Sequence, residues 1–208
     1  MTDTSARLLS GEPIPVCLMN TVWADRDEVH DALRTVADLR TWLSAIEDDE
    51  TFGVCGERLG HGDVHAFRTL REALRNLAAF VTGDTRPGLG AAAGRIERDV
   101  AEVNHAVCRA GSWQQLTFHD GELHRQSARG ATAAMRSLSA IATRAVDLFT
   151  GDDRVRLQAC YAPGCVLYFV KDHPRRAWCS TACGNRVRAA RHYRRRHTFP
   201  VAMPGNTL

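Results

Sequence analysis

Lysine is almost absent from this chain of 208 residues: Lys171 is the only one among 27 basic side chains, so the basicity is arginine. Aromatic residues make up only 7%. No run approaches the ~20 consecutive apolar residues that a membrane-spanning helix requires, so no membrane helix and no membrane partner is expected. The opening residues Met1-Thr2-Asp3-Thr4-Ser5 lack a basic region followed by an apolar run, so no secretory signal is read there. A reducing, cytoplasmic setting is the expectation, and there clustered cysteines are more often metal ligands than disulfides. There is also no glycine-rich phosphate loop, no serine-nucleophile elbow and no paired-carboxylate signature. The expectation is a protein that is not an enzyme.

Hydrophobic residues at 44% and charged residues at 25% are ordinary for a soluble globular chain. Residues 1–15 hold Gly11, Pro13 and Pro15 and read as an extended lead-in. Three- and four-residue spacing of Val29, Leu33, Val36, Leu39, Leu43 and Ile46 predicts one amphipathic helix from about Asp25 to Ile46. A second helix is predicted over Asp63–Val81, a third over Ala92–Arg109 and a fourth over Ala128–Phe149. Leu116 and Phe118 alternate with polar residues ahead of Asp120-Gly121, which predicts a small β-hairpin. The first 150 residues thus read as one α-helical domain. Gly151-Asp152-Asp153 marks the boundary to a second part, 151–208.

Charge divides the chain at that same place. From Gly151 onward eleven basic side chains face three acids, a net +8, whereas the first 150 residues carry −5. An acidic body with a basic end points to a polyanionic partner for that end.

Four of the seven cysteines fall in the basic segment as two close pairs. Zinc takes four such ligands tetrahedrally, and small domains supply them as two knuckles. In Cys160-Tyr-Ala-Pro-Gly-Cys165 the Pro163-Gly164 step can turn both sulfurs toward one point. Cys179-Ser-Thr-Ala-Cys183 has the spacing of a turn running into a helix, whose N-terminus favours thiolates. One zinc ion per chain, held by Cys160, Cys165, Cys179 and Cys183, is the reading; four buried or disulfide-forming cysteines are the bland alternative. With every position taken by cysteine, no place remains for a substrate water, so the ion is structural. Four thiolates leave a local charge of about −2, and Lys171, Arg175, Arg176 and Arg186 are candidates to offset it. The site and the helical core are expected to behave as separate units.

Beyond the second pair the sequence Asn185 to His197 predicts a basic helix. Arg188, Arg191 and Arg195 share one face, with Arg194 beside them. The functional reading is a helix on double-stranded DNA, with Arg186, Arg188, Arg191, Arg194 and Arg195 on phosphates and base edges. A solvated basic face or an arm lying on the acidic body is the competing reading.

Trp178-Cys179-Ser180, then Cys183-Gly184-Asn185-Arg186 and the basic helix, preceded by the Cys160–Cys165 knuckle, resembles the CGNR zinc finger. Proteins of that family carry the finger at the C-terminus of an α-helical domain called ABATE and are described as stress-induced transcription regulators of bacteria. The resemblance reaches the N-terminus, where Val16-Cys17-Leu18-Met19-Asn20-Thr21 stands in place of the family's Leu-Asp-Phe-Val-Asn-Thr. Asn20 and Thr21 agree, and Cys17 replaces the usual aspartate. Trp42 in Arg40-Thr41-Trp42-Leu43 is similar as well. The resemblance implies a mainly α fold: a helical domain with a small β-hairpin, then a four-cysteine zinc finger of treble-clef or ribbon type ending in a basic helix. It also implies DNA-binding regulation, with the helical domain sensing a small-molecule effector or forming a homodimer.

Two rival classes are weighed against this. One is a small-molecule-binding protein or enzyme with its pocket near Asn20, Thr21, Trp23 and Trp42 and a purely structural finger. The other is an interaction module whose finger binds protein or RNA. His61 and His65, four apart, together with His105, His119 and His124, are read as surface or structural residues. Cys17, Cys55 and Cys108 are read as small buried hydrophobes outside the metal site, with redox sensing by Cys17 or Cys55 as the alternative.

Overall fold

The structure, a computed structural model, describes residues 11–25, 28–46, 58–86, 95–119, 121–129 and 131–197. The first element is a short helix, α1 (Ile14–Met19), which begins directly after Pro13 and buries Val16, Cys17, Leu18 and Met19. Of the lead-in expected over residues 1–15, residues 1–10 lie outside the described residues, and Ile14 and Pro15 belong to α1, with Pro13 extended at its N-cap.

The helix predicted over Asp25–Ile46 is two different things. An antiparallel strand pair, β1 (Val22–Ala24) and β2 (Val29–Asp31), comes first, with Trp23 opposite His30 and their rings stacked at 4.1 Å. Helix α2 (Val36–Ala45) starts only at Thr35, which is extended and forms a capping box with Asp38. Val29 matched the helical period by coincidence; it lies on the exposed side of a strand. The Thr35-x-x-Asp38 cap was the signal in the sequence that outranked the periodicity.

Three long helices carry the core. These are α3 (His61–Thr82), α4 (Ile96–Cys108) and α5 (Ala133–Thr150), each packed on the other two. Val64, Phe67, Leu70, Leu74 and Leu77 of α3 meet Val103 of α4 and Leu138, Ile141 and Leu148 of α5, and α1 closes this cluster. Gly83 ends α3 in the left-handed region (φ 60°), the usual geometry for a glycine stop. Helix α5 begins later than predicted because Thr132 caps it and Ala128 belongs to a strand. The start predicted for α4 at Ala92 lies outside the described residues.

Between α4 and α5 stands the expected hairpin, β3 (Ser112–His119) and β4 (Glu122–Arg129). Gly121 takes the positive φ (84°) that the turn needs. His119 pairs with Glu122 and His124 with Thr117, so the two histidines are not opposite each other.

After a 3-10 turn (Asp152–Val155) come β5 (Leu157–Ala159), β6 (Tyr168–Val170) and helix α6 (Thr181–His197). Successive side chains of a strand point to opposite faces, and β6 buries both of them. Tyr168 and Val170 join the helical core with Leu157 and Ala159, whereas Phe169 joins a second cluster with Cys160, Cys165, Cys183 and Val187. Strand β6 thus contributes side chains to both clusters.

Candidate metal centre and basic helix

The cysteine cluster is built by two local devices. In the loop between β5 and β6, Gly164 takes φ 71° and the Cys165 N–H donates to Ala162 O at 2.9 Å. This tight turn folds Cys165 back beside Cys160. In the second device Ser180 precedes α6, and its hydroxyl accepts from the Cys183 N–H at 3.3 Å. Cys179 and Cys183 are thereby held at the helix N-terminus. All four sulfurs lie within 4.8 Å of one another, with Cys165–Cys179 at 3.8 Å and Cys179–Cys183 at 3.4 Å. A tetrahedron with metal–sulfur bonds of about 2.3 Å has edges of about 3.8 Å, so the donor set fits zinc in number, softness and spacing.

The surroundings of Cys183 favour its thiolate. The Arg186 guanidinium donates to Cys183 Sγ at 2.8 Å. Hydrogen bonds from the neighbouring thiols of Cys160, Cys165 and Cys179, with Arg186 added, hold the Cys183 thiol well below its ordinary range. Of the other cations expected there, Arg176 donates to Cys179 O at 2.9 Å and pairs with Glu12 at 2.5 Å. Lys171 and Arg175 make no side-chain hydrogen bond to the cluster among the described residues.

The profile of the ABATE family, described as "Putative stress-induced transcription regulator", matches residues 12–152, and that of the CGNR zinc finger matches residues 156–196. The chain belongs to the ABATE family. No curated protein matches it.

The finger's name-giving residues each have a physical task. Cys183 is a zinc ligand. At Gly184 a Cβ would lie 3.3 Å from the Trp178 ring, so glycine lets that ring close the outer side of the cluster. The Asn185 side chain accepts from Arg188, and Arg186 serves the sulfur of Cys183. The finger holds one structural zinc through Cys160, Cys165, Cys179 and Cys183. Arg186→Ala should lower zinc affinity several-fold while leaving the helices folded, because a charge-assisted bond to a ligand is removed and the ligand remains. Competition with a chromogenic chelator measures this, and an unchanged affinity would refute the assignment.

Sequence reasoning missed what grips the finger from the other side. Arg86, just past α3, donates from one nitrogen to the carbonyls of Cys160, Cys165 and Leu167 at 3.1–3.3 Å. It is fixed by Asp84, whose side chain is fully buried and sits 2.6 Å from the Arg86 guanidinium. The Tyr168 hydroxyl donates to the same carboxylate at 2.8 Å, and the Arg86 guanidinium lies 4.8 Å above the Tyr168 ring. Burial, reinforced by Asp84, pushes that phenol up to about 12, so it remains a donor. Arg75 completes the clamp with bonds to Met19 O and Val166 O. These partners lie 74 or more residues from the knuckle in sequence, and no local spacing rule connects them.

The four residues expected around a ligand pocket make the following contacts within the protein. Asn20 bonds both backbone groups of Tyr168, at 2.8 and 2.9 Å, as a neighbouring strand would. Thr21 donates to Leu18 O and accepts from Arg71, which is itself held by Asp31. Trp23 stacks on His30, while Trp42 is buried edge-on to Phe67. The polar groups of Asn20 and Thr21 are thus consumed within the protein, at the seam between the ABATE domain and the finger. Cys17, in the family's aspartate position, is buried, its thiol pushed up to about 12 by that burial and by Glu12. Such a thiol stays protonated and unreactive at neutral pH, which argues against redox sensing there. Cys17 and Cys108 stand apart from the metal group; Cys108, at the last residue of α4, is exposed and not buried as expected, and Cys55 lies outside the described residues.

The basic helix runs 17 residues, about 25 Å. Its first turns pack through Cys183 and Val187, while Arg191, His192, Tyr193, Arg194, Arg195 and Arg196 are all exposed. No described helix of the chain is long and apolar enough to cross a membrane.

Proposed function

We propose that this protein is a DNA-binding transcriptional regulator without catalytic activity of its own. The single observation that carries the reading is the far end of α6. Arg191, Arg194, Arg195 and Arg196 stand exposed on a helix with no acidic residue, and the zinc cluster pins its base. A cationic helix on a rigid mount can lie along a groove of duplex DNA with its backbone already ordered, so only side-chain freedom is lost on binding. The family description of the ABATE domain supports regulation as the setting. Arg188 and Arg191 fall on the same face as Arg195, and that face would meet phosphates and base edges. Arg186 is committed to Cys183 and acts as a positioning residue. One finger offers few base contacts, so a cytoplasmic homodimer reading two half-sites, biased by a small-molecule effector on the helical domain, completes the proposal.

Affinity of the zinc-loaded protein for duplex DNA should fall with salt at a slope of about −0.9 per phosphate, hence roughly −3 to −5 for one helix. Changing Arg188, Arg191, Arg194 and Arg195 together to alanine should flatten that slope and leave zinc bound. Fluorescence anisotropy at several salt concentrations measures both. An unchanged slope in the quadruple variant would sink the reading.

A further inference from the structure

A cleft of about 350 Å³ opens between α3 and α4, away from the finger and from Asn20 and Thr21. Its floor is apolar and buried: Leu70 of α3, Ala106 of α4 and Leu138 of α5. Its rim is cationic. Arg98, Glu102 and His105 of α4 and its C-cap residue Arg109 recur at four-, three- and four-residue steps along one stripe, and His65 lines the cleft from α3. Among the described residues none of these five side chains has a hydrogen bond or ion pair to the protein. Gly62 and Ala66 keep the cleft open, and a Cβ built at Gly62 would meet nothing within 4 Å.

A site of this size with an apolar floor and a few convergent polar groups has the anatomy of a small-molecule site. Its charge selects the occupant. Two guanidiniums against one carboxylate favour an anion, to which an imidazole N–H can also donate, and the fork of arginine matches a carboxylate in particular. The floor demands an apolar body, and Glu102 would accept from a hydroxyl on it. We infer that this cleft binds a small organic acid, a carboxylate carried on an aromatic or aliphatic body. The inference deepens the effector part of the regulatory reading, and its measurement needs no DNA, so the two fail separately. The cleft lies on the first turns of α3, whose other end leads through Arg75 to Asp84 and Arg86 at the zinc knuckle. A ligand favouring one arrangement of α3 would thereby bias the finger.

Calorimetric titration of the zinc-loaded full-length protein with 1-naphthoate, 1-naphthalenemethanol and inorganic phosphate tests the inference. Naphthoate should bind at least about tenfold more tightly than the neutral alcohol or phosphate, as expected when a charge-assisted hydrogen bond and apolar burial act together. Arg98→Ala with Arg109→Ala should weaken naphthoate by about tenfold or more. Gly62→Leu should abolish binding while keeping the fold, since leucine is the better helix former and the added side chain fills the cleft. Circular dichroism and zinc content check that both variants are folded. No binding of naphthoate at millimolar concentration, equal binding of acid and alcohol, or unchanged affinity in both variants would overturn the inference.

Discussion

Serine at Cys183 should strip the zinc from this protein and lower the unfolding temperature of the whole chain, not of its C-terminal part alone. Apparent zinc affinities of isolated fingers correspond to roughly 10–16 kcal/mol, and a missing thiolate removes most of that. Losing the metal would leave Cys160, Cys165 and Cys179 as a buried cluster with Arg186 beside them and no ion to organise it. The loss then spreads, because β6 belongs to two cores at once. Phe169 packs with the cysteines, whereas Tyr168 and Val170 pack with the helices and hold Asn20 and Glu12. Elemental analysis and thermal circular dichroism read the two effects. Cys108→Ala, at an exposed position outside the cluster, is the matched control and should change neither. Stoichiometric zinc in the serine variant, or helices melting at the wild-type temperature after zinc loss, would refute the account.

How much of this was legible beforehand follows the range of each interaction. The zinc ligands could be read from the sequence because their chemistry is local: two pairs, a turn residue at Gly164, and a helix start after Ser180. Helices α3, α4 and α5 were legible from long apolar stripes, and the hairpin from Asp120-Gly121. Helix α2 was misread upstream of Thr35 because β1 and β2 are three residues each, too short to impose an alternation that outweighs a chance helical period. The family's Asn20-Thr21 step was recognised, yet its task was not. Asn20 completes hydrogen bonds for a strand 148 residues away, and only the fold brings them together. The same holds for Arg86 and for the cleft. Arg98, Glu102, His105 and Arg109 sit visibly on one helical stripe, but nothing in the sequence says that α3 faces them or that Leu138 floors the space between.

The second large effect should come from Asp84, a residue that no sequence motif marks. Asp84→Asn keeps the shape and removes the charge that fixes Arg86 and accepts from Tyr168. Removing one member of a buried ion pair costs about 3–5 kcal/mol, because the other is left buried and uncompensated. Here the stranded guanidinium still faces the carbonyls of Cys160, Cys165 and Leu167, so some of the cost is recovered. Adding Arg86→Met should restore part of the stability, which a double-mutant cycle reads directly. The pH dependence gives a second, independent readout. Burial raises the Asp84 carboxyl, but hydrogen bonds from Arg86 and Tyr168 outweigh it and hold the group below the usual aspartate range. A folded-state pKa below the unfolded value contributes stability that is complete above the unfolded pKa and is lost as pH falls through the folded one. The gap between wild type and Asp84→Asn should therefore be constant near neutrality and shrink as pH drops through and below the carboxylate range. Denaturant unfolding of both proteins with zinc in excess measures the gap. A gap that is small at neutral pH, or one that persists unchanged into acid, would show that Asp84 does not hold the ABATE domain to its finger through its charge.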